Sequence, residues 1–277
     1  MRMKVKEKVL NWSLFCLMVI VAFVMLVPFF WMFSTSLKSL GEVFEYPPKW
    51  IPRQPHWENY ARVWSVVPFG RYLLNSVIVS GSITLLHLLV ASLSAFAFAR
   101  LNFPGRDKLF LLYLATLMIP GQVTMIPNFI LIKLLRLTDT YTGLILPNVF
   151  TAFGVFLLRQ FFMTIPKDYE DAARIDGASR FYIYSRIILP LSVPALSTLA
   201  VFTFVFQWNN LLWPLVVVSK DSMKTVTIGL ASFQGMYGTT WNLLMAAAVI
   251  GVLPSIVAFL IGQRFLIKGI TLTGLKA

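Results

Sequence analysis

The chain has 277 residues, 58% of them hydrophobic and only 13% charged, with a mean hydropathy of +0.76. Soluble domains carry about 25% charged residues, so this composition excludes a water-soluble globular domain. The 24 Lys+Arg against 11 Asp+Glu leave a net charge of +13, which basic, orienting loops of a membrane protein account for without nucleic acid.

Six apolar runs follow in chain order, each near the roughly 20 residues that a spanning helix needs. The first, 12–33, stands behind a basic head of Arg2, Lys4, Lys6 and Lys8. A secretory signal has an apolar region of only about 7–15 residues. This run has 22 and leaves through Trp31, Phe33 and Lys38, which predicts an uncleaved anchor. It holds Cys16, the sole cysteine, so no intrachain disulfide or cysteine metal cluster can form. The second run, 72–98, is closed by Arg100, and the third, 109–132, is interrupted by Pro120-Gly121 and Pro127. The fourth, 142–162, carries Pro147 near its start. The fifth, 189–212, has Pro194 in its first turns and Pro214 beyond its end, and the last, 241–262, contains Pro254. Spanning helices tolerate internal proline where neighbours satisfy the freed carbonyls. No long stretch alternates with period two, so a β-barrel is disfavoured.

The expected fold is therefore an all-α integral membrane domain of six transmembrane helices, a single unit over 1–277. Alternating the sides with the N-terminus inside puts fifteen Lys and Arg inside and nine outside. That bias places both termini in the cytoplasm. Residues 38–71 then form an outer loop rich in Pro and Trp, read as an ordered cap, and 219–240 form a second outer loop. No low-complexity segment and no internal repeat is found.

The inner loop 163–188 is the most polar stretch of the chain. Pro166 suits a helix start, because its missing N–H would have no partner there. Asp168, Glu170 and Asp171 fall in the first turn, where carboxylates complement the helix dipole. Ala172, Ala173 and Ile175 make a smooth apolar stripe, and Gly177 ends the helix as a C′ residue. A second helix starts near Ala178 and runs toward Leu189-Pro190, giving a helix–turn–helix at the membrane's inner face.

The run from Asp171-Ala172-Ala173 through Gly177 to Ile187 and Leu189-Pro190 resembles the EAA loop of membrane subunits of binding-protein-dependent ABC importers. Within them it resembles the carbohydrate-uptake group that includes the smaller maltose permease subunit. Asp171 stands where the family usually has Glu, which keeps the charge with a shorter reach. Further similar stretches are Asn59-Tyr60, Asn75-Ser76, Ala97-Phe98-Ala99-Arg100, Phe103-Pro104-Gly105-Arg106, Met118 to Gly121, Gln207 to Asn210 and Gly229-Leu230-Ala231, so the resemblance covers nearly the whole chain.

The resemblance implies an ABC importer type I permease fold in a prokaryotic cell membrane, whose inner loop docks on a cytoplasmic ATPase. Glu170, Asp171, Ala172, Ala173, Asp176 and Gly177 are the implied coupling residues. Its implied partners are a second homologous permease, two ATPase subunits, an extracytoplasmic solute-binding protein and a carbohydrate. This chain has no P-loop, so ATP and Mg are expected on the partner ATPase, with no catalytic residue, cofactor or metal here. The C-terminal stretch from Lys268 to Lys276 also resembles the family's tail, which reaches the ATPase dimer.

Polar residues inside spans mark candidate pathway positions. Those read as such are Asn75, Gln122, Asn128, Gln207, Trp208, Asn209 and Asn210. Amides and aromatic faces suit a polyol, although amides also bond neighbouring helices. His87, alone in mid-span, is read as a packing residue. Ser232, Gln234 and Gly235 resemble a loop that probes the binding protein's cleft. The rival function is an ion-coupled secondary transporter, which would usually place ionisable groups in mid-span; none falls in the central turns here.

Overall fold

In the computed structural model residues 2–235 and 238–273 are described, with side chains described for 10–234 and 238–264. The described residues are mostly helical. Its elements run α1 (Arg2–Ser36), α2 (Leu40–Val43), α3 (Glu58–Val66), α4 (Phe69–Arg100), α5 (Arg106–Ala115) and, after a 3-10 turn at Thr116–Met118, α6 (Gly121–Leu134). Next come α7 (Tyr141–Val149), α8 (Ala152–Thr164), α9 (Asp168–Ile175) and α10 (Arg180–Tyr182). A π-helical stretch, Ile183–Ile188, leads into α11 (Leu189–Leu191), α12 (Val193–Trp208) and α13 (Leu212–Val217). A second 3-10 turn, Asp221–Met223, precedes α14 (Val226–Ala231), and α15 (Trp241–Thr273) closes the order. Between α14 and α15 lies a small antiparallel hairpin, β1 (Gln234–Gly235) and β2 (Gly238–Thr239), with Gln234 opposite Thr239.

Among the described residues three helical segments are long and apolar enough to cross a membrane: Leu10–Ser36, Phe69–Arg100 and Trp241–Arg264. Three bent pairs raise the number to as many as six if each pair is one span. The run read as 109–132 is such a pair, bent by 97° between Met118 and Gly121. Its cause is Pro120, which pushes the preceding Ile119 out of the helical region to ψ 116°. The run read as 142–162 bends by 45° where Phe150 and Thr151 turn extended. The run read as 189–212 bends by 76° at Ser192, between Pro190 and Pro194, and its straight part ends at Trp208. In a bilayer such breaks must be buried in protein or line a polar cavity.

The chain divides into two compact units. In the unit of Met1–Phe69 and Leu230–Val252, burial begins where α1 ends, at Ser34 to Lys38. Lys38 is 1% exposed; its Nζ donates to the Lys49 carbonyl at 2.5 Å and lies 4.2 Å from the Trp31 ring centroid. Asn59 donates to the carbonyls of Ser36 and Lys38 at 2.9 and 3.0 Å and accepts from Asn242 at 3.3 Å. These bonds satisfy the carbonyls freed at the end of α1 and fix the Pro- and Trp-rich segment after it.

In the unit of Gly70–Gly229 and Leu253–Ala277, two apolar clusters are seen among the described residues. One joins α4, α5, α8 and α12 with the 163–188 segment, through Phe96, Phe110, Leu158, Phe162, Ile188 and Leu199 among others. The other joins α4, α6, α7 and α13 through Ile83, Ile132, Leu144, Trp213 and Val217.

Candidate functional site

The 163–188 segment is built as its local sequence requires. Asp168, Glu170 and Asp171 occupy the first turn of α9, and Arg174 its last. After the helix Gly177 has φ +80°. Its N–H donates to Arg174 O at 3.0 Å and the N–H of Ala178 to Ala173 O at 2.9 Å, which is a Schellman ending. Ser179 then caps α10 by accepting from the Tyr182 N–H at 3.2 Å. The result is a capped helix–turn–helix whose second helix starts at Arg180.

The six coupling candidates do not share one face. Asp171, Ala172, Asp176 and Gly177 are exposed, whereas Ala173 is half-buried against the core. Beside the exposed candidates lie Tyr169, Ile175 and Phe181, with Ile175 88% exposed. Glu170 points inward and is 3% exposed. Its Oε1 forms a 2.8 Å ion pair with Nε of Arg100, off the line of a hydrogen bond, and its Oε2 lies 3.5 Å from Arg174. Arg100 also donates from Nη2 to the carbonyls of Phe162 and Ile165, each at 2.7 Å. In the sequence Arg100 stands as an orienting charge that ends a family-like stretch, with no sign of a partner. The available signal was a cation closing one apolar run and an acid opening a loop helix, but nothing local to either pairs them.

The pathway candidates separate in the same way. Asn75 is fully buried and bonds at every polar atom of its amide. It donates to Ser222 O at 2.9 Å and Lys224 O at 2.8 Å, and accepts from the Tyr141 hydroxyl at 2.7 Å. It is a clamp for the chain after Val218. Gln207 accepts from Asn210 at 3.2 Å, Asn209 donates to Val205 O at 2.8 Å, and Trp208 is buried. Gln122 is exposed and Asn128 half-buried on α6. Only Gln207 of these lines the half-open, mainly apolar cavity of about 530 Å³, together with His87, Asn148, Thr151, Phe153 and Phe206.

Around the 219–226 stretch two carboxylates act as braces. Asp139, at φ +57°, accepts the N–H groups of Ser219 and Lys220 at 2.7 and 2.8 Å. The Lys220 and Ser219 N–H groups hold its carboxyl below the usual carboxylate range. Asp221 is likewise lowered, by its bonds to Lys224 and then to the Tyr72 hydroxyl. Ser232 and Gln234 are exposed at the hairpin, and Gly235 pairs with Gly238. Met236 and Tyr237 lie outside the described residues, as do the side chains of the basic head and of Lys268; Lys276 is outside altogether. Among the described residues no group of three or more His, Cys, Asp or Glu could hold a metal ion.

A family model described as the binding-protein-dependent transport system inner membrane component matches residues 87–272. The sn-glycerol-3-phosphate transport system permease protein UgpE of Yersinia pestis bv. Antiqua is 38% identical over 268 residues, covering 93% of this chain and 95% of that protein. The arabinooligosaccharides transport system permease protein AraQ of Halalkalibacterium halodurans is 42% identical over 202 residues, 73% of this chain and 72% of that one. Among solved structures, a chain of a bacterial ABC transporter involved in importing the acidic polysaccharide alginate superposes with a TM-score of 0.83 at 22% identity, covering 94% of this chain and 98% of that chain. A chain of the inward-facing MetNI methionine ABC transporter gives 0.55 at 14% identity, covering 71% and 93%.

Proposed function

Because this chain belongs to the family of inner membrane components of binding-protein-dependent transport systems, we propose that it forms half of a translocation pathway for a carbohydrate or related polyol. It is a membrane permease subunit, and ATP hydrolysis is done by a separate subunit. In this reading six spans cross the membrane with both termini in the cytoplasm, each bent pair counting as one. A second permease, two ATPase subunits that carry ATP and Mg, and an extracytoplasmic binding protein complete the importer. The cargo class is supported by relatives named for glycerol 3-phosphate and arabinooligosaccharide transport.

One observation carries the coupling role. The 163–188 segment presents Tyr169, Asp171, Ala172, Ile175, Asp176 and Phe181 on the surface of a capped helix–turn–helix, apolar area beside acids. Ala172, rather than the half-buried Ala173, is the small residue on that face. Ala172→Glu puts bulk and a desolvated charge at the docking surface, so the ATPase should no longer co-purify with the permease pair. Wild-type co-purification would remove this face from the interface. Uptake of radiolabelled maltose, arabinotriose and sn-glycerol 3-phosphate into proteoliposomes separates the rival reading. The importer needs ATP and added binding protein, whereas a carrier would run on an ion gradient alone.

A further inference from the structure

We propose that Arg100 is a positioning residue that ties the coupling segment to α4, so that movement of α9 is transmitted along the α4 span. This rests on the reading that 163–188 docks on the ATPase. One guanidinium holds three acceptors from two parts of the chain: the Glu170 carboxylate on α9, and the Phe162 and Ile165 carbonyls where α8 ends. Both carbonyls lie at the end of α8, where helical acceptors run short of partners; that of Phe162 also accepts the Ile165 N–H at 3.1 Å, and the planar fork of arginine can serve several acceptors at once. The side chains of both Arg100 and Glu170 are only 4% exposed. Burying an ion pair is a poor way to gain stability, since apolar side chains of similar volume do as well or better. Its distinguishing property is directional: separating the two leaves Arg100 buried with only carbonyls to face and Glu170 with only the longer contact to Arg174, a cost that favours the elements moving together.

A second link lies on the same face of α4. The Ser92 hydroxyl meets the Tyr184 hydroxyl at 2.8 Å, and Phe96 packs on the Tyr184 ring at 5.3 Å between centroids. Ser92, Phe96 and Arg100 are spaced four residues apart and form one helical stripe. Tyr184 belongs to the π-helical stretch Ile183–Ile188, a geometry frequent at functional sites. The first half of the coupling segment is thus held by charge and the second by a buried hydroxyl pair, both on α4.

The test uses the assembled complex of permeases, ATPase and binding protein, with Cys16→Ser and spin labels at Leu74→Cys and Arg136→Cys. In the parent, ATP should change the distance between these labels, which sit far along the chain from Arg100. In Glu170→Gln and Arg100→Gln the ATPase should still co-purify. The ATP-driven population of the shifted distance should fall about tenfold, in the range for residues that carry coupling. Arg100→Lys, which keeps one charge contact, should fall between. An unchanged shift in the Gln variants, or no shift in the parent, would overturn the proposal. So would loss of the complex in the Lys and Gln variants alike, which marks a pair that only holds the fold. Ala172→Glu separates the two readings: retention of the ATPase there sinks the docking reading, whereas its loss beside normally coupled Gln variants sinks only the tether.

Discussion

At the residue scale, His87 shows how a polar group inside an apolar run is used. It is 2% exposed, and its Nδ1 lies 2.7 Å from Val149 O. A carbonyl only accepts, so Nδ1 carries the proton, and in the neutral ring Nε2 accepts from the Thr151 hydroxyl at 3.3 Å. Val149 is the last residue of α7, where the chain bends before α8. His87 therefore repairs the backbone that the bend leaves open. Gly154 makes room for the ring: a Cβ there would stand 2.2 Å from Nε2 and 2.7 Å from Cε1. Gly154→Ala should cost about 2 kcal/mol through this overlap and lower the thermal transition of the purified complex in detergent. In a His87→Ala background the same substitution should cost far less, because the two sites share one space. Additive effects would mean that the ring is not what Gly154 accommodates.

At the element scale, the ending of α9 sets the angle between the two helices of the coupling segment. A Cβ added at Gly177 would meet nothing within 4 Å, so the cost of giving it one is confined to φ +80°. Gly177→Ala should cost about 1 kcal/mol, Gly177→Val more, and Gly177→Asn less, because Asn visits the left-handed region readily. ATP-dependent uptake should fall in the order Asn, Ala, Val, with all variants still inserted. Equal uptake by the Val variant would show that the turn tolerates another geometry. The bends of the apolar pairs have an equally local origin in Pro120, Pro190 and Pro194, yet their angles differ between 97° and 76°. Proline removes a hydrogen bond and disfavours helix before it; how far the chain then turns is set by what packs against each half.

At the scale of the whole molecule, the proposed orientation makes a labelling prediction. With Cys16→Ser as background, Lys49→Cys should react with an impermeant maleimide in intact cells, or in spheroplasts if an outer membrane intervenes. Lys167→Cys should react only after the membrane is opened. Reversed labelling would invert the topology, and labelling of both from outside would mean that the runs between them do not cross as proposed. The acids near 219–224 add a pH dependence on the same side. Because folded Asp139 and Asp221 sit below their usual range, their bracing is present above the ordinary carboxylate range and is lost as pH falls through the folded values.

The sequence alone determined membrane residence, the six apolar runs, the family resemblance that the comparisons confirm, and the helix–turn–helix of the coupling segment. These properties are local: hydropathy is summed over one stretch, and caps, prolines and a Gly at C′ act within a turn or two. Tertiary structure decided which polar groups are available. Glu170, adjacent to Asp171, turns inward to a cation 70 positions earlier, and Asn75 is consumed by carbonyls of Ser222 and Lys224. Such pairs join residues far apart in the chain, and a buried charge or amide must find a partner wherever the fold supplies one. A residue's type states that need, but only packing shows which neighbour meets it.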